Sequence, residues 1–290
     1  MSNTQQTGVK LYDTHMHTPL CKHASGQPEE YAEVAIQRGL SGIIFTCHNP
    51  LPDEISLSVR MREDQFDDYV TLIQQTTDAY KGRLDVRLGL ECDYWPGLET
   101  YLDKQLKQAR FHHVLGSVHP QIKWYQQTFV TDSPKAFFKQ YFTHLAQAAE
   151  SGLFDTISHP DLVKNVYPEA WNISEMIDHI CECLDRIAKT GVAMEFNTSG
   201  VTKAIKEFNP NQTMLVEMAR RGIPVVIGSD SHKPISVARR FEQAIELIRQ
   251  AGYEKVSYFL DRQRLDVKLD DALAVLKPLP VAEGQTVMVD

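Results

Sequence analysis

The chain has 290 residues, 42% hydrophobic and 23% charged, with a formal net charge of -8. This is a globular composition that excludes a disordered or collagen-like polymer, and no apolar run is long enough to span a bilayer. The acidic balance argues against a sequence-independent grip on nucleic acid, and the polar start, Met1 to Gly8, lacks an apolar signal core, so a cytoplasmic protein is expected.

After the polar tail 1–8, the short apolar run Leu11-Tyr12 leads into Asp13-Thr14-His15-Met16-His17. Helical periodicity from Pro28 to Arg38 is followed by the run Gly42 to Thr46, which delivers His48. A helix from Glu63 to Tyr80 precedes Val86 to Leu90 and Glu91; one from Glu99 to Arg110 precedes Val114 to Val118 and His119. The helix Pro134 to Glu150 leads to Phe154 to Ser158 and His159, and Ser174 to Lys189 leads to Val192 to Phe196 and Asn197. Asn211 to Arg221 then precedes Pro224 to Ser229, which ends on Asp230 and His232. A last helix is expected from Ser236 to Ala251, and the proline-bearing tail 277–290 reads as peripheral.

Strand and helix alternate, which predicts β-α units around a parallel sheet. The continuously apolar runs GIIFT and PVVIGS suit strands covered on both faces. Gly39, Gly152, Gly191 and Gly222 stand where helices should end, as the left-handed C-cap preference of glycine requires. No linker or internal repeat divides the chain, so residues 1–290 read as one domain. An open doubly wound sheet would draw its site from a few strands at a switch point. Here every strand ends in a chemically useful residue, which favours an α/β barrel with its site at the strand C-termini.

Those strand ends, with His23 from the loop after the first, supply seven imidazoles and two carboxylates: His15, His17, His23, His48, His119, His159, His232, Glu91 and Asp230. In extended backbone the His15/His17 pair emerges on one face and can share an ion, and Asp230/His232 repeat the spacing. Nine ligands exceed one zinc site of about four. A Glu91 that bridges two ions divides them into His15, His17, Glu91 and Asp230; Glu91, His119 and His159; and His23, His48 and His232. Spacing alone does not establish that partition. Imidazole-rich sets suit zinc, manganese or iron better than magnesium or calcium. Three divalent ions would leave about +4 over two carboxylates, a field that draws in a compact dianion such as a phosphate monoester. Arg60, Arg62, Lys164, Lys203 and Lys233 are the cations available for further phosphate contact, and Asn197 the substrate-side amide.

The simpler reading of a histidine, as a hydrogen-bonded structural residue, is kept for His112, His113, His144 and His179. Cys21, Cys47, Cys92, Cys181 and Cys183 form no C-x-x-C pair and are odd in number, so a disulfide framework is not expected. Alternation turns Cys47 and Cys92 away from the ligands beside them, which makes both packing residues.

The motifs D-T-H-M-H-T-P-L-C-K-H, G-L-E-C-D-Y, G-S-V-H, S-H-P-D-L, E-F-N-T-S-G and G-S-D-S-H, in this order from Asp13 to about Val267, resemble the polymerase-and-histidinol-phosphatase (PHP) family, closest to its histidinol-phosphatase branch. The resemblance implies a distorted, TIM-like seven-stranded β/α barrel, a trinuclear centre with the three ligand sets above, and hydrolysis of L-histidinol phosphate to L-histidinol and phosphate in histidine biosynthesis. Glu91 would then bridge metals, and Asp230 or His232 would protonate the departing alkoxide. The chain departs from the branch where Val201, Thr202 and Lys203 follow N-T-S-G in place of an arginine, where Cys47 replaces an aspartate before His48, and over Pro120 to Tyr125. Those departures leave open another small phosphorylated metabolite or nucleotide as substrate. An amidohydrolase barrel, a proofreading nuclease and a non-enzymatic metal-binding protein are the other readings. The partner expected is a small phosphorylated substrate, with no nucleic acid and no membrane.

Overall fold

In the computed structural model, which describes residues 9–278, the elements in chain order are β1 (Tyr12–Asp13), α1 (Pro28–Gln37), β2 (Gly42–Phe45), α2 (Phe66–Ala79), β3 (Asp85–Asp93), α3 (Glu99–Leu106), β4 (His113–Ser117), α4 (Lys123–Thr128), α5 (Pro134–Glu150), β5 (Thr156–Ile157), α6 (Ile173–Ala188), β6 (Ala193–Asn197), α7 (Gln212–Arg220), β7 (Val225–Gly228), α8 (Phe241–Gln250), β8 (Lys255–Leu260), β9 (Gln263–Lys268) and α9 (Leu269–Val275). The polar segment 1–8 and the tail beyond residue 278 lie outside the described residues. Lys277, the first residue of the segment expected to be peripheral, is tied down: its N–H donates to the Arg38 carbonyl at 2.9 Å.

The sheet runs in strict sequence order from β1 to β9. Pairs β1–β2 through β7–β8 are parallel, and β8–β9 is an antiparallel hairpin. β2, β4, β6 and β7 are buried at every residue, the outcome expected when helices cover one face and the barrel interior the other. Helix faces follow the same logic. α6 buries Met176, Ile180, Cys183, Leu184 and Ile187, a spacing of three and four that forms one stripe. Its Asn172 caps the first turn from the Ser174 N–H. Gly39, Gly152, Gly191 and Gly222 all adopt positive φ where their helices end.

The seven expected strands are present, joined by the β8–β9 hairpin. Its two turn residues, Asp261 and Arg262, both have positive φ (52° and 63°). Such a turn is normally signalled by Asn-Gly or Asp-Gly, and its residues here carry no such mark. The ladder is not continuous around the barrel. β1 meets the end of β7 at a single parallel bridge, Met16 with Ser231. There His17 N–H donates to Ser231 O (2.9 Å) and Ser231 N–H to His15 O (3.1 Å). Asp13 reinforces the seam, accepting from the N–H groups of Ser229 (3.0 Å) and Ala238 (2.8 Å). The seam therefore lies at the strand C-termini, between the two H-x-H-like motifs.

Three helix boundaries differ from expectation by three residues or more, the first being α2, which starts at Phe66 after a 3-10 turn over Glu63–Gln65. α8 starts at Phe241 rather than Ser236 because Ala238 gives its N–H to Asp13 and, like Arg240, sits in left-handed backbone. α3 ends at Leu106, four residues early. The short α4 lies beside the site, where Trp124 packs on Trp95 at a centroid distance of 4.3 Å.

Candidate metal centre and active site

Glu91 stands at the centre of the strand-end cluster, on β3 and fully buried. Its Oε2 is 2.8 Å from His48 Nδ1, 3.5 Å from His15 Nε2 and 3.6 Å from His17 Nε2. Its Oε1 is 2.9 Å from His159 Nε2 and 3.4 Å from His119 Nε2. Five imidazole nitrogens from four strand ends thus surround one carboxylate. Asp230 closes a second side, with Oδ1 3.2 Å from His17 Nε2 and 3.7 Å from His15 Nε2.

Ligand-capable atoms gather within 4.8 Å of one another in His15/His17/Asp230, in His48/Glu91/His119 and in His17/His48/His232. His23 is exposed but its ring lies tilted beside that of His232, with centroids 4.4 Å apart. All nine residues expected at the strand ends are brought together. His48 lies against both Glu91 and the His17/His232 rings, so it borders two of the expected ligand sets rather than one.

The cluster is held by carboxylates that the motif reading passed over. Glu195 Oε1 is 2.7 Å from His15 Nδ1, while its Oε2 accepts from the His159 N–H at 2.8 Å. Asp93 Oδ1 is 2.7 Å from His119 Nδ1. Such contacts fix the tautomer and leave Nε2 aimed at the centre, the usual support of a ligating histidine. Strand alternation could have exposed both, since Asp93 follows Glu91 by two residues and Glu195 precedes Asn197 by two. Ser117 donates to Glu91 Oε1 at 2.7 Å. His159 and Asp230 have φ of 27° and 51°, a conformation seldom adopted by non-glycine residues and often found where side chains are aimed for function.

Burial and charge pull in opposite directions here. Burial disfavours protonation of His15, yet the Glu195, Glu91 and Asp230 carboxylates outweigh it and raise its pKa well above the ordinary value. For His119 burial is likewise overcome, chiefly by Asp93 and then Glu91, and the pKa rises to about 10. Burial would raise the Glu91 carboxyl, but the surrounding imidazoles of His48, His15 and His119 hold it well below the usual range. His232 is pushed down to about 3, by burial first and the His17 charge second.

The cations divide. Arg60 and Lys203 line a cavity of about 450 Å³ over the cluster, together with Gln121, Ile122 and Trp124. Arg60 is also bound to Asp93 at 2.8 Å, so it braces His119 indirectly. Lys164, by contrast, is fully buried and donates to Asp161 Oδ2 (2.9 Å) and Phe208 O (2.8 Å). It does not reach the cavity. Arg62 lies outside it too, paired with Asp64 at 2.8 Å on the surface. Asn197 is buried behind the site: it donates to Glu195 at 3.0 Å, and the Ser199 hydroxyl sits between its Oδ1 (2.8 Å) and Asp230 Oδ2 (2.9 Å). These are positioning contacts rather than a substrate face.

Cys47 is not turned away as alternation suggested. β2 ends at Phe45, so the pleat no longer governs residue 47, and its Sγ lies within 4.8 Å of both a His17 nitrogen and Cys21 Sγ. Cys92 packs in the core. His144 and His113 hold structural places, bonded to Tyr125 (2.7 Å) and Thr156 (2.8 Å).

A parallel β/α fold that gathers imidazoles and carboxylates at its strand ends gives the chain a site of the kind that holds divalent metal. Residues 13–199 match the PHP domain family, and the chain belongs to that family. It is 39% identical over 254 residues to a probable histidinol-phosphatase of Deinococcus radiodurans, covering 86% of this chain and 96% of that protein. It is 28% identical over 265 residues to the histidinol-phosphatase of Bacillus subtilis, covering 81% and 98%. Its fold is similar to the crystal structure of histidinol phosphate phosphatase from Lactococcus lactis complexed with zinc, L-histidinol and phosphate, at a TM-score of 0.73 and 20% identity, over 88% of this chain and 99% of that one.

Proposed function

We propose that the chain, read as a single domain, is a phosphoric monoester hydrolase that converts L-histidinol phosphate to L-histidinol and phosphate. The observation that carries this reading is Glu91 inside its ring of five imidazoles, in a chain 39% identical to a probable histidinol-phosphatase over nearly that protein's whole length. The residues fit divalent metal. Among the described residues, His15 Nε2, His17 Nε2, His48 Nδ1, Glu91 Oε2 and His232 Nε2 are buried with no hydrogen-bond partner, a cost that coordination would remove. The donor set suits zinc, with manganese or iron as substitutes. Three ions are proposed: His15, His17, Glu91 and Asp230 would hold the first, Glu91, His119 and His159 the second, and His23, His48 and His232 the third.

When bound, such ions supply Lewis acidity toward phosphoryl oxygens and bring the pKa of water to near ~7. The protein's own part is placement. Glu195 and Asp93 lock two imidazoles in one tautomer, and Ser199 steadies Asp230. Lys203, 3.9 Å from Asp230, presents a mobile point charge at the cavity wall where it can meet phosphate. Ile122 and Trp124 offer an apolar wall to the leaving group. His232 stays unprotonated at neutral pH and the Asp230 carboxyl lies well below its usual range, so both suit ligation better than proton donation to the alkoxide.

The test is phosphate release from L-histidinol phosphate by zinc- or manganese-loaded protein, set beside sugar phosphates and nucleotides. Glu91→Ala should abolish release. Turnover that survives this substitution would remove Glu91 from the bridging role, and a preference for another ester would move the substrate assignment within the same family. The acidic chain is not expected to act on nucleic acid. Among the described residues no helix is long and apolar enough to cross a membrane.

A further inference from the structure

A second hollow of about 350 Å³ adjoins the metal cavity and shares Lys203, Asp230 and His232 with it. Its outer side is built by Lys233, Arg239 and Arg240. Four basic side chains therefore face one hollow whose lining includes a single carboxylate. Lys203 reaches that carboxylate, Asp230, only at 3.9 Å, and among the described residues Lys233, Arg239 and Arg240 make no ion pair.

Elsewhere on the described surface arginines are paired: Arg62, Arg83, Arg186, Arg221 and Arg249 each meet a carboxylate within 3.0 Å. In a chain of net charge -8, carboxylates are plentiful. Leaving Arg239 and Arg240 unpaired beside the metal centre keeps a local positive field in an otherwise acidic protein. The loop that carries Arg239 and Arg240 is anchored, since the preceding Ala238 N–H is bound by Asp13 at 2.8 Å. Such a wall attracts an oxyanion, with arginine supplying forked donors.

We propose that this hollow is a second oxyanion site, which takes a phosphate or carboxylate beside the phosphoryl group at the metal centre. The oxyanion has two sources, a free phosphate or a second anionic group carried by the ester. The proposal goes beyond the phosphatase reading and is tested separately from it.

The experiment is calorimetric titration of the metal-loaded full chain with inorganic phosphate, in wild type, Arg239→Gln/Arg240→Gln and Arg239→Lys/Arg240→Lys. Wild type should bind one more phosphate than the glutamine variant, or bind it about tenfold more tightly, the scale of a charge-assisted contact, and the lysine variant should recover most of the difference. Equal stoichiometry and affinity in all three proteins overturns the site. Because the readout is a difference, it holds whether or not the metals themselves take phosphate. Hydrolysis of 3-phosphoglycerate and glycerol 3-phosphate then separates the sources. A preference for the carboxylate ester that falls about tenfold in the glutamine variant assigns the site to the substrate's own anion. An unchanged preference with weaker phosphate inhibition assigns it to free phosphate. If L-histidinol phosphate is not hydrolysed either while the binding difference stays intact, the phosphatase reading falls and the oxyanion site stands.

Discussion

Glu195 Oε1 lies 2.7 Å from His15 Nδ1, with both side chains sealed from solvent, and the other ring nitrogen of His15 points at Glu91 and Asp230. The contact makes β6, a strand whose own end contributes no metal-ligand candidate, responsible for the orientation of one contributed by β1. The same carboxylate holds the His159 backbone, so it ties two candidate ligands to one group.

Glu195→Gln should therefore lower zinc affinity by about 10–100-fold, the usual effect of losing a carboxylate behind a ligating histidine. Competition against a chromogenic chelator measures it. Wild-type affinity in this variant would show that the contact is structural only.

Gly228 is required by the same pair. A Cβ added there would collide with Glu195 Oε1 and come within 2.8 Å of His15 Cβ. Gly228→Ala should cost about 1–3 kcal/mol, as overpacking does, and reduce zinc binding with it. Urea unfolding together with metal titration tests both effects, and an unperturbed variant would mean that the two side chains have room to yield.

Lys164 is expected to matter for stability instead of phosphate recognition. Lys164→Met leaves the buried Asp161 carboxylate without its cation and should destabilise the fold by about 3–5 kcal/mol. The folded fraction should keep its KM for the phosphate ester. A raised KM with unchanged stability would return Lys164 to the substrate.

Acid sensitivity has a source apart from the metal ligands. Burial holds His144 down at about 4 and His113 at about 3. Both are thus neutral when folded and take up protons near 6.5 when unfolded. Their contribution is fully present above pH 6.5 and is lost as pH falls toward 4. Each adds a slope of up to about 1.4 kcal/mol per pH unit over that window. His144→Gln should flatten the fall in urea midpoint between pH 6.5 and 4.5, and a slope identical to wild type would remove His144 as its cause.

Much of the centre was legible because strand geometry is local. A residue that follows a buried parallel strand lands at the C-terminal rim, so His48, Glu91, His119 and His159 can be read from where their apolar runs stop. His15 and His17 followed from a one-residue spacing, and the order of motifs pointed to the family. The β8–β9 hairpin was not legible, because Asp261-Arg262 carries a left-handed turn without the residues that usually announce one.

The sequence by itself determined the β/α alternation, the helix-ending glycines and the nine strand-end ligand candidates, since each depends on backbone period and steric preference within a few residues. The partnerships were decided only by tertiary structure. Asp161 and Lys164 become an enclosed pair, Arg62 turns to Asp64, and Asn197 faces Glu195 and Ser199 instead of substrate. Arg60, thirty-three residues from Asp93, becomes its counter-ion. A charge or amide has no intrinsic direction in the chain; its role is set by which desolvated partner the fold brings within about 3 Å, and that depends on contacts between distant segments.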